Sequence, residues 1–186
     1  MKNINKIKDD IYREIVERTV DGGEYSDEEL YELIEEKVLK KSHEVYIAQS
    51  EKESITKSVY NSMRGMDVLQ ELIDNPDITE IMVNGPDNIF VENSGKIEKY
   101  PERFMDVHKL EDVIQQIVSK VNRVVNETSP IVDFRLTDGS RVNVVLPPVS
   151  LEGPVVTIRK FPEKPMTMKK LVQIGSLSEE AAQFLE

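Results

Sequence analysis

The chain has 186 residues, of which 39% are hydrophobic, 32% charged and 6% aromatic. That is material for one large or two small globular domains with a strongly polar surface. Its 24 basic and 35 acidic residues leave a formal charge of −11, which opposes the counterion release behind non-specific nucleic-acid binding, so no nucleic-acid partner is expected. Cysteine is absent, which excludes disulfides, thiolate catalysis and cysteine-ligated metal centres; no run of about 18 apolar residues offers a membrane span, and a cytoplasmic chain is expected.

Three helices are predicted over residues 1–65. Ile4, Ile7, Ile11 and Ile15 recur at three- and four-residue spacing until Asp21-Gly22-Gly23 interrupts them. A second helix opens on Ser26-Asp27-Glu28-Glu29, a capping box in which Ser26 and Glu29 each satisfy a free backbone donor, and carries Leu30, Leu33, Ile34 and Val38 on one side. A thinner stripe through Val45, Ile55, Val59 and Met63 stops near Gly65. Together these fit a small bundle whose core is marginal in isolation.

After Gly65 the pattern changes. A short helix from Met66 to Ile73 precedes two β-rich runs, ITEIMV and NIFVE, separated by Asn84-Gly85-Pro86-Asp87. Asn93-Ser94-Gly95 reads as a three-residue hairpin loop with Gly95 left-handed, opposing Glu92 to Lys96 and Val91 to Ile97. From Leu110 a helical stripe continues through Val113, Ile114, Ile117, Val118, Val121, Val124 and Val125, behind a candidate N-cap at Asp106. This helix should cover a sheet. Three extended runs, IVDFRL, RVNVVL and VVTIRKF, follow as a meander, with Pro147-Pro148 and Gly153-Pro154 bounding the last link. Helical patterns resume from Met168 to Val172, and Ser176-Leu177-Ser178-Glu179 gives another capping box. The final helix has hardly begun at Phe184-Leu185-Glu186, so further sequence is expected beyond it.

Most familiar chemistry is missing. The eight glycines form neither Gly-x-x-x-x-Gly-Lys-Ser/Thr nor Gly-x-Gly-x-x-Gly, so the chain has no phosphate cradle of its own. His43 and His108 are the two imidazoles and read as surface or cap residues rather than a metal pair. No serine lies in a Gly-x-Ser-x-Gly elbow, and the acidic runs read as solvated helix faces. Asn126-Glu127-Thr128 is a formal glycosylation acceptor that a cytoplasmic chain does not use.

The informative segment is IVDFRLTDGSRVNVVLPP. Alternation places Val132, Phe134 and Leu136 on one face and Ile131, Asp133 and Arg135 on the other. A two-residue Asp138-Gly139 loop would mix the faces of the next strand. A three-residue Thr137-Asp138-Gly139 loop with Gly139 left-handed instead opposes Arg135 to Arg141 and Phe134 to Val142. Two guanidinium groups then lie side by side, and Arg159-Lys160 adds positive charge on the next strand. Like charges directly opposite one another destabilise a sheet. Arginine's planar fork suits phosphate or carboxylate, so the cluster points to an anion; ordinary surface pairing with Asp133 and nearby acids is the plain alternative.

DITEIMVNGPDNIFVENSGKIE, NETSPIVDFRLTDGSRVNVVLPP and GPVVTIRKF, in that order, resemble the N-terminal region of CpaF-type secretion ATPases, motors of tight-adherence pili and related type II and type IV secretion systems. The resemblance covers roughly residues 66–186; the first 65 residues fit the family's variable helical region. It implies an α/β chain with an N-terminal three-helix bundle (1–65), a PAS-like antiparallel sheet with packed helices (66–165), and a linker with the start of a RecA-like domain (166–186). It further implies that Arg141 in the DGSR block and Arg159 in the TIRKF block reach nucleotide phosphates across a domain interface. Arg135 and Lys160 join them as candidates, although the commoner family form has Ala before Arg in the first block and many relatives carry a second arginine at position 160. Asn122 stands where relatives commonly have glycine.

On that resemblance the chain is the non-catalytic part of a hexameric ATPase. Alone it is expected neither to hydrolyse ATP nor to bind a cofactor tightly, with ATP and magnesium belonging to the full-length parent. Its expected partners are its own RecA-like domain, neighbouring subunits and inner-membrane secretion or pilus platform proteins, at the inner face of the plasma membrane. The alternative from another class is an autonomous PAS-like sensor or protein-interaction adaptor.

Overall fold

The computed structural model describes residues 4–22, 25–162 and 166–185; Gly23, part of the expected helix break, and residues 163–165, where the second segment was expected to end, lie outside them. Helices α1 (Ile4–Gly22), α2 (Asp27–Glu44) and α3 (Gln49–Arg64) form the bundle. Their apolar stripes meet in one core that includes Ile11, Ile15, Leu30, Ile34, Ile55 and Val59. The capping box at α2 is formed: Ser26 N donates to Glu29 Oε2 at 2.8 Å, and Glu29 N donates to Ser26 Oγ at 3.2 Å. Val45 does not belong to the third helix. It closes α2 in an extended conformation, and Ile47 takes the buried place between the two helices.

The rest of the described chain comprises α4 (Val68–Asp74), β1 (Ile78–Asn84), β2 (Ile89–Asn93), β3 (Lys96–Lys99), α5 (Val107–Ser119), β4 (Ile131–Arg135), β5 (Arg141–Val145), β6 (Val155–Arg159), α6 (Met168–Gln173) and α7 (Glu179–Leu185). The strands make one antiparallel sheet of order β3-β2-β1-β6-β5-β4. Two meanders are thus joined through β1 and β6, where Ile81 faces Ile158 and Val83 faces Val156. Period-two alternation puts Val91, Ile81, Ile158, Val142 and Phe134 in one buried row across five strands. The stripe of α5 shares the core with this face through Leu110, Val113, Ile114, Ile117 and Val118; truncating such a residue to alanine typically costs about 2–5 kcal/mol. Asp106 caps the helix as expected, accepting from Lys109 N at 2.8 Å.

Three local expectations are corrected. The β2–β3 loop has two residues, Ser94 and Gly95, both at positive φ (52° and 77°), and Asn93 rather than Glu92 faces Lys96, with Glu92 opposite Ile97. A loop with two left-handed residues matches the twist of the flanking strands, and the pattern did not disclose that serine would adopt this conformation. Helix α5 stops before Val121. Asn122 takes a left-handed φ of 53°, Asn122 N donates to Ser119 O at 3.0 Å and Arg123 N to Val118 O at 3.2 Å. This is a Schellman stop, for which asparagine substitutes for glycine. Val124 is therefore exposed, whereas Val125 is buried. At α7, Ser178 rather than Ser176 is the cap, accepting from Ala181 N at 3.1 Å.

The bundle is fastened to the sheet's helices by polar contacts. Lys109 Nζ, in the first turn of α5, donates to Tyr12 OH at 3.2 Å and to Ser62 O at 2.5 Å. Lys8 pairs with Glu102 at 2.9 Å. Beside them Asp67, at φ 53°, accepts from Ser62 Oγ at 2.6 Å. Burial raises the Asp67 carboxyl above its ordinary range, an effect that the Ser62 hydroxyl and the Lys109 charge oppose. A carboxyl raised in the folded state favours the fold at low pH, and that contribution is lost as the pH rises through the folded value. Asp67→Asn, which tolerates the same left-handed backbone, should raise the thermal midpoint near neutral pH and lose this advantage below about pH 4, the ordinary aspartate value. Melting curves of both proteins across that range check it; a difference independent of pH contradicts it.

Candidate functional site

The turn between β4 and β5 positions the site. Leu136 N donates to Ser140 O at 2.8 Å and Gly139 N to Leu136 O at 3.0 Å, leaving Thr137, Asp138 and Gly139 as the loop. Gly139 sits at φ 87°, where a side chain would be strained. Asp138 stiffens the turn by accepting from Ser140 N at 2.9 Å and Ser140 Oγ at 2.8 Å. The register that results is the one the alternation requires, with Arg135 opposite Arg141 and Phe134 opposite Val142.

Pairing of β5 with β6 then sets Arg159 opposite Arg141, so Arg135, Arg141 and Arg159 stand abreast on three adjacent strands. All three are exposed. The row continues through Glu80, opposite Arg159, to Glu92, which makes it basic at the β4 edge and acidic toward β2. Sequence patterning did not place these glutamates, because the pairing of β1 with β6 joins strands far apart in the chain.

Only one carboxylate among the described residues engages the arginines. Arg141 Nε lies 3.1 Å from Asp133 Oδ1, and Asn143 Nδ2 donates to Asp133 Oδ2 at 3.1 Å. Hydrogen bonds from Arg141 and Asn143 hold the Asp133 carboxyl below its usual range. The pair is open to water, with 66% of the Arg141 side chain and 49% of the Asp133 side chain exposed, and exposed pairs of this sort add little to stability. Arg141 spends only Nε on it, which leaves its two terminal amino groups without a partner among the described residues. Arg135 and Arg159 make no ion pair with a described carboxylate. Asp133, Phe134, Arg135 and Arg141 border a shallow groove at this edge.

Lys160 is not part of the row. Strand alternation turns it to the opposite side from Arg159, where its Nζ donates to Asn75 O, just past the C-terminal end of α4. A cation on the last carbonyls of a helix is favourably placed, which gives a lysine here a structural role. His108 lies at the surface, 3.5 Å from Glu111, and no group of three metal-ligating side chains is found among the described residues. No helix among them is long and apolar enough to cross a membrane.

Residues 62–186 match the type II/IV secretion system protein family. An uncharacterized protein of Methanocaldococcus jannaschii, MJ0781, is 30% identical over 134 residues, 72% of this chain and 19% of that protein. The type IV secretion system protein VirB11 of Brucella suis is 29% identical over 111 residues, 59% of this chain and 31% of its own. The crystal structure of the VirB11 ATPase from the Brucella suis type IV secretion system, in complex with sulphate, superposes with a TM-score of 0.51 at 28% identity, covering 60% of this chain and 35% of that one. The chain thus spans about a fifth to a third of the length of these relatives.

Arginines packed abreast without enough counter-charge repel one another. Arg135, at the sheet edge, faces Arg141 alone, so Arg135→Gln should stabilise the chain by a few tenths of a kcal/mol up to about 1 kcal/mol at low ionic strength. The gain should fade in about 1 M salt, where screening shortens to about 3 Å. Urea unfolding at the two salt concentrations checks both points; a destabilised variant would mean that Arg135 has a folded-state partner.

Proposed function

Because this chain belongs to the type II/IV secretion system protein family, we propose that it is the non-catalytic N-terminal portion of a hexameric secretion or pilus-assembly ATPase and that its arginine row receives nucleotide phosphates. The observation that carries this reading is Arg135, Arg141 and Arg159 abreast on an exposed face, with one exposed carboxylate engaging Arg141 alone, in a chain of charge −11. The sulphate bound to the Brucella suis relative is an oxyanion of the same chemical class as a phosphate group, and it supports the reading.

In this proposal residues 1–65 are a bundle that meets the secretion apparatus, residues 66–165 carry the row, and residues 166–186 lead into a RecA-like motor domain. That motor domain supplies the Walker motifs, ATP and magnesium. Arg141 and Arg159, at the centre of the row, contact the phosphates; Arg135, at the edge, assists. When the two domains close, water leaves and each guanidinium acts on developing phosphate charge in a lower dielectric, where its effect grows. Asp133 holds Arg141 in place while the cleft is open and gives it up to the stronger anion. Motion of the row reaches the bundle through α5: the buried row beneath the arginines shares its core with α5, and α5 holds the bundle through Lys109. Hexamer neighbours and inner-membrane platform proteins are the partners this role requires.

In the full-length protein, Arg141→Ala and Arg159→Ala should each cut kcat/KM for ATP hydrolysis tenfold or more, equivalent to about 1.4 kcal/mol of lost transition-state stabilisation. Steady-state turnover measures it, and Arg141→Lys, which keeps the charge but loses the fork, should fall between the two. Wild-type rates in both alanine variants would contradict the proposal.

A further inference from the structure

The geometry points to Phe161 as the platform on which the base of that nucleotide stacks; this inference rests on the phosphate reading of the arginine row. Phe161 follows Arg159 by two residues, so the alternation that aims Arg159 outward aims Phe161 to the same side. The β5–β6 pairing ends at Arg141 and Arg159, and just beyond it Phe161 comes to lie against Gly139. A Cβ placed on Gly139 would lie 3.3 Å from Phe161 Cγ and 3.4 Å from its Cδ2. The ring is therefore laid across the turn, close enough that a side chain at Gly139 would crowd it.

Its backbone is held as firmly. Phe161 N donates to Ser140 Oγ at 3.1 Å, and Ser140, buried to 1% exposure, is itself tied to Asp138. Lys160 N donates to Thr79 O at 2.9 Å, which keeps the strand extended up to the aromatic residue. One side of the ring is thus fixed against protein, while 57% of the residue remains exposed. Burial in the core does not explain a phenylalanine anchored in this way. A flat, half-exposed ring backed by the turn has the properties of a stacking platform, because every nucleobase offers a π face and stacking needs no hydrogen-bond code. The distance suits one ligand: two residues along a strand span about 7 Å, so a base on the ring leaves the phosphates of the same molecule directed at Arg159 and Arg141.

The test uses the full-length protein with magnesium and two probes, ATP and ribose 5-triphosphate, which carries the sugar and phosphates without a base. Phe161→Ala should weaken ATP binding roughly 5- to 150-fold, the range for one base stacked on an aromatic ring, and leave ribose 5-triphosphate binding unchanged in calorimetry. Phe161→Tyr should restore ATP binding. The main-chain bond to Ser140 Oγ survives both substitutions, and unchanged ribose 5-triphosphate binding shows that the variants are folded. An equal loss for both probes would make Phe161 a brace for the arginines or for neighbouring polypeptide and overturn the inference. So would no loss for either, or a wild type that binds both probes equally. Arg141→Ala separates this result from the phosphate reading: it should weaken both probes, and if it weakens neither, the phosphate reading fails while the response of Phe161→Ala to the base is still judged by its own comparison.

Discussion

Arg135, Arg141 and Arg159 face one another across adjacent strands, an arrangement that costs electrostatic energy for as long as nothing anionic covers it. Asp133 offsets part of that cost at Arg141 alone, and the nearest glutamate in the row, Glu80, is set against Arg159 by the sheet register without forming an ion pair with it. Everything distinctive in the sheet serves this juxtaposition. The left-handed Gly139 brings Arg135 against Arg141, the link from β5 to β6 adds Arg159, and the apolar row beneath, sharing its core with α5, keeps those registers from slipping. A one-residue slip at either pairing would carry the arginines to the buried face, where their desolvation is prohibitive.

The electrostatic contrast with the rest of the molecule gives the row its meaning. A chain with eleven more acids than bases repels polyanions at long range, so a small anion delivered within the screening length, about 8 Å at physiological salt, is favoured over nucleic acid. The bundle has a different role. Its own core is separate from that of the sheet, and its attachments at Lys109, Lys8 and Asp67 are polar. Contacts of this sort fasten the two parts while leaving their interface sensitive to charge.

Local chemistry made much of this readable in advance. The capping box at Ser26, the cap at Asp106 and the three-residue loop ending in Gly139 each depend on residues adjacent in sequence, and each formed as their chemistry dictates. The order of strands, the apposition of β1 with β6 and the glutamates that extend the arginine row were not readable, because they depend on pairings between segments more than 70 residues apart. Two errors had one cause: Ser94 and Asn122 adopt left-handed conformations, which lack the glycine signal that betrays them in sequence. Lys160 stands apart from the arginines for a different reason. Its charge is plain in the sequence but its face is not, and alternation sends its ammonium to the end of α4. Phe161 carried a weak signal, an aromatic residue two places after an arginine at the end of a strand, which acquires significance only once its ring is seen on Gly139.

The central claim is that the arginine row is one half of a phosphate site completed by another domain. It is tested most directly by a crystal structure of the full-length protein with magnesium and a non-hydrolysable ATP analogue. The account predicts guanidinium nitrogens of Arg141 and Arg159 about 3 Å from phosphate oxygens, with Arg141 released from Asp133. A nucleotide bound with Arg141 still on Asp133 and Arg159 turned to solvent, both beyond hydrogen-bond reach of any phosphate, would contradict it.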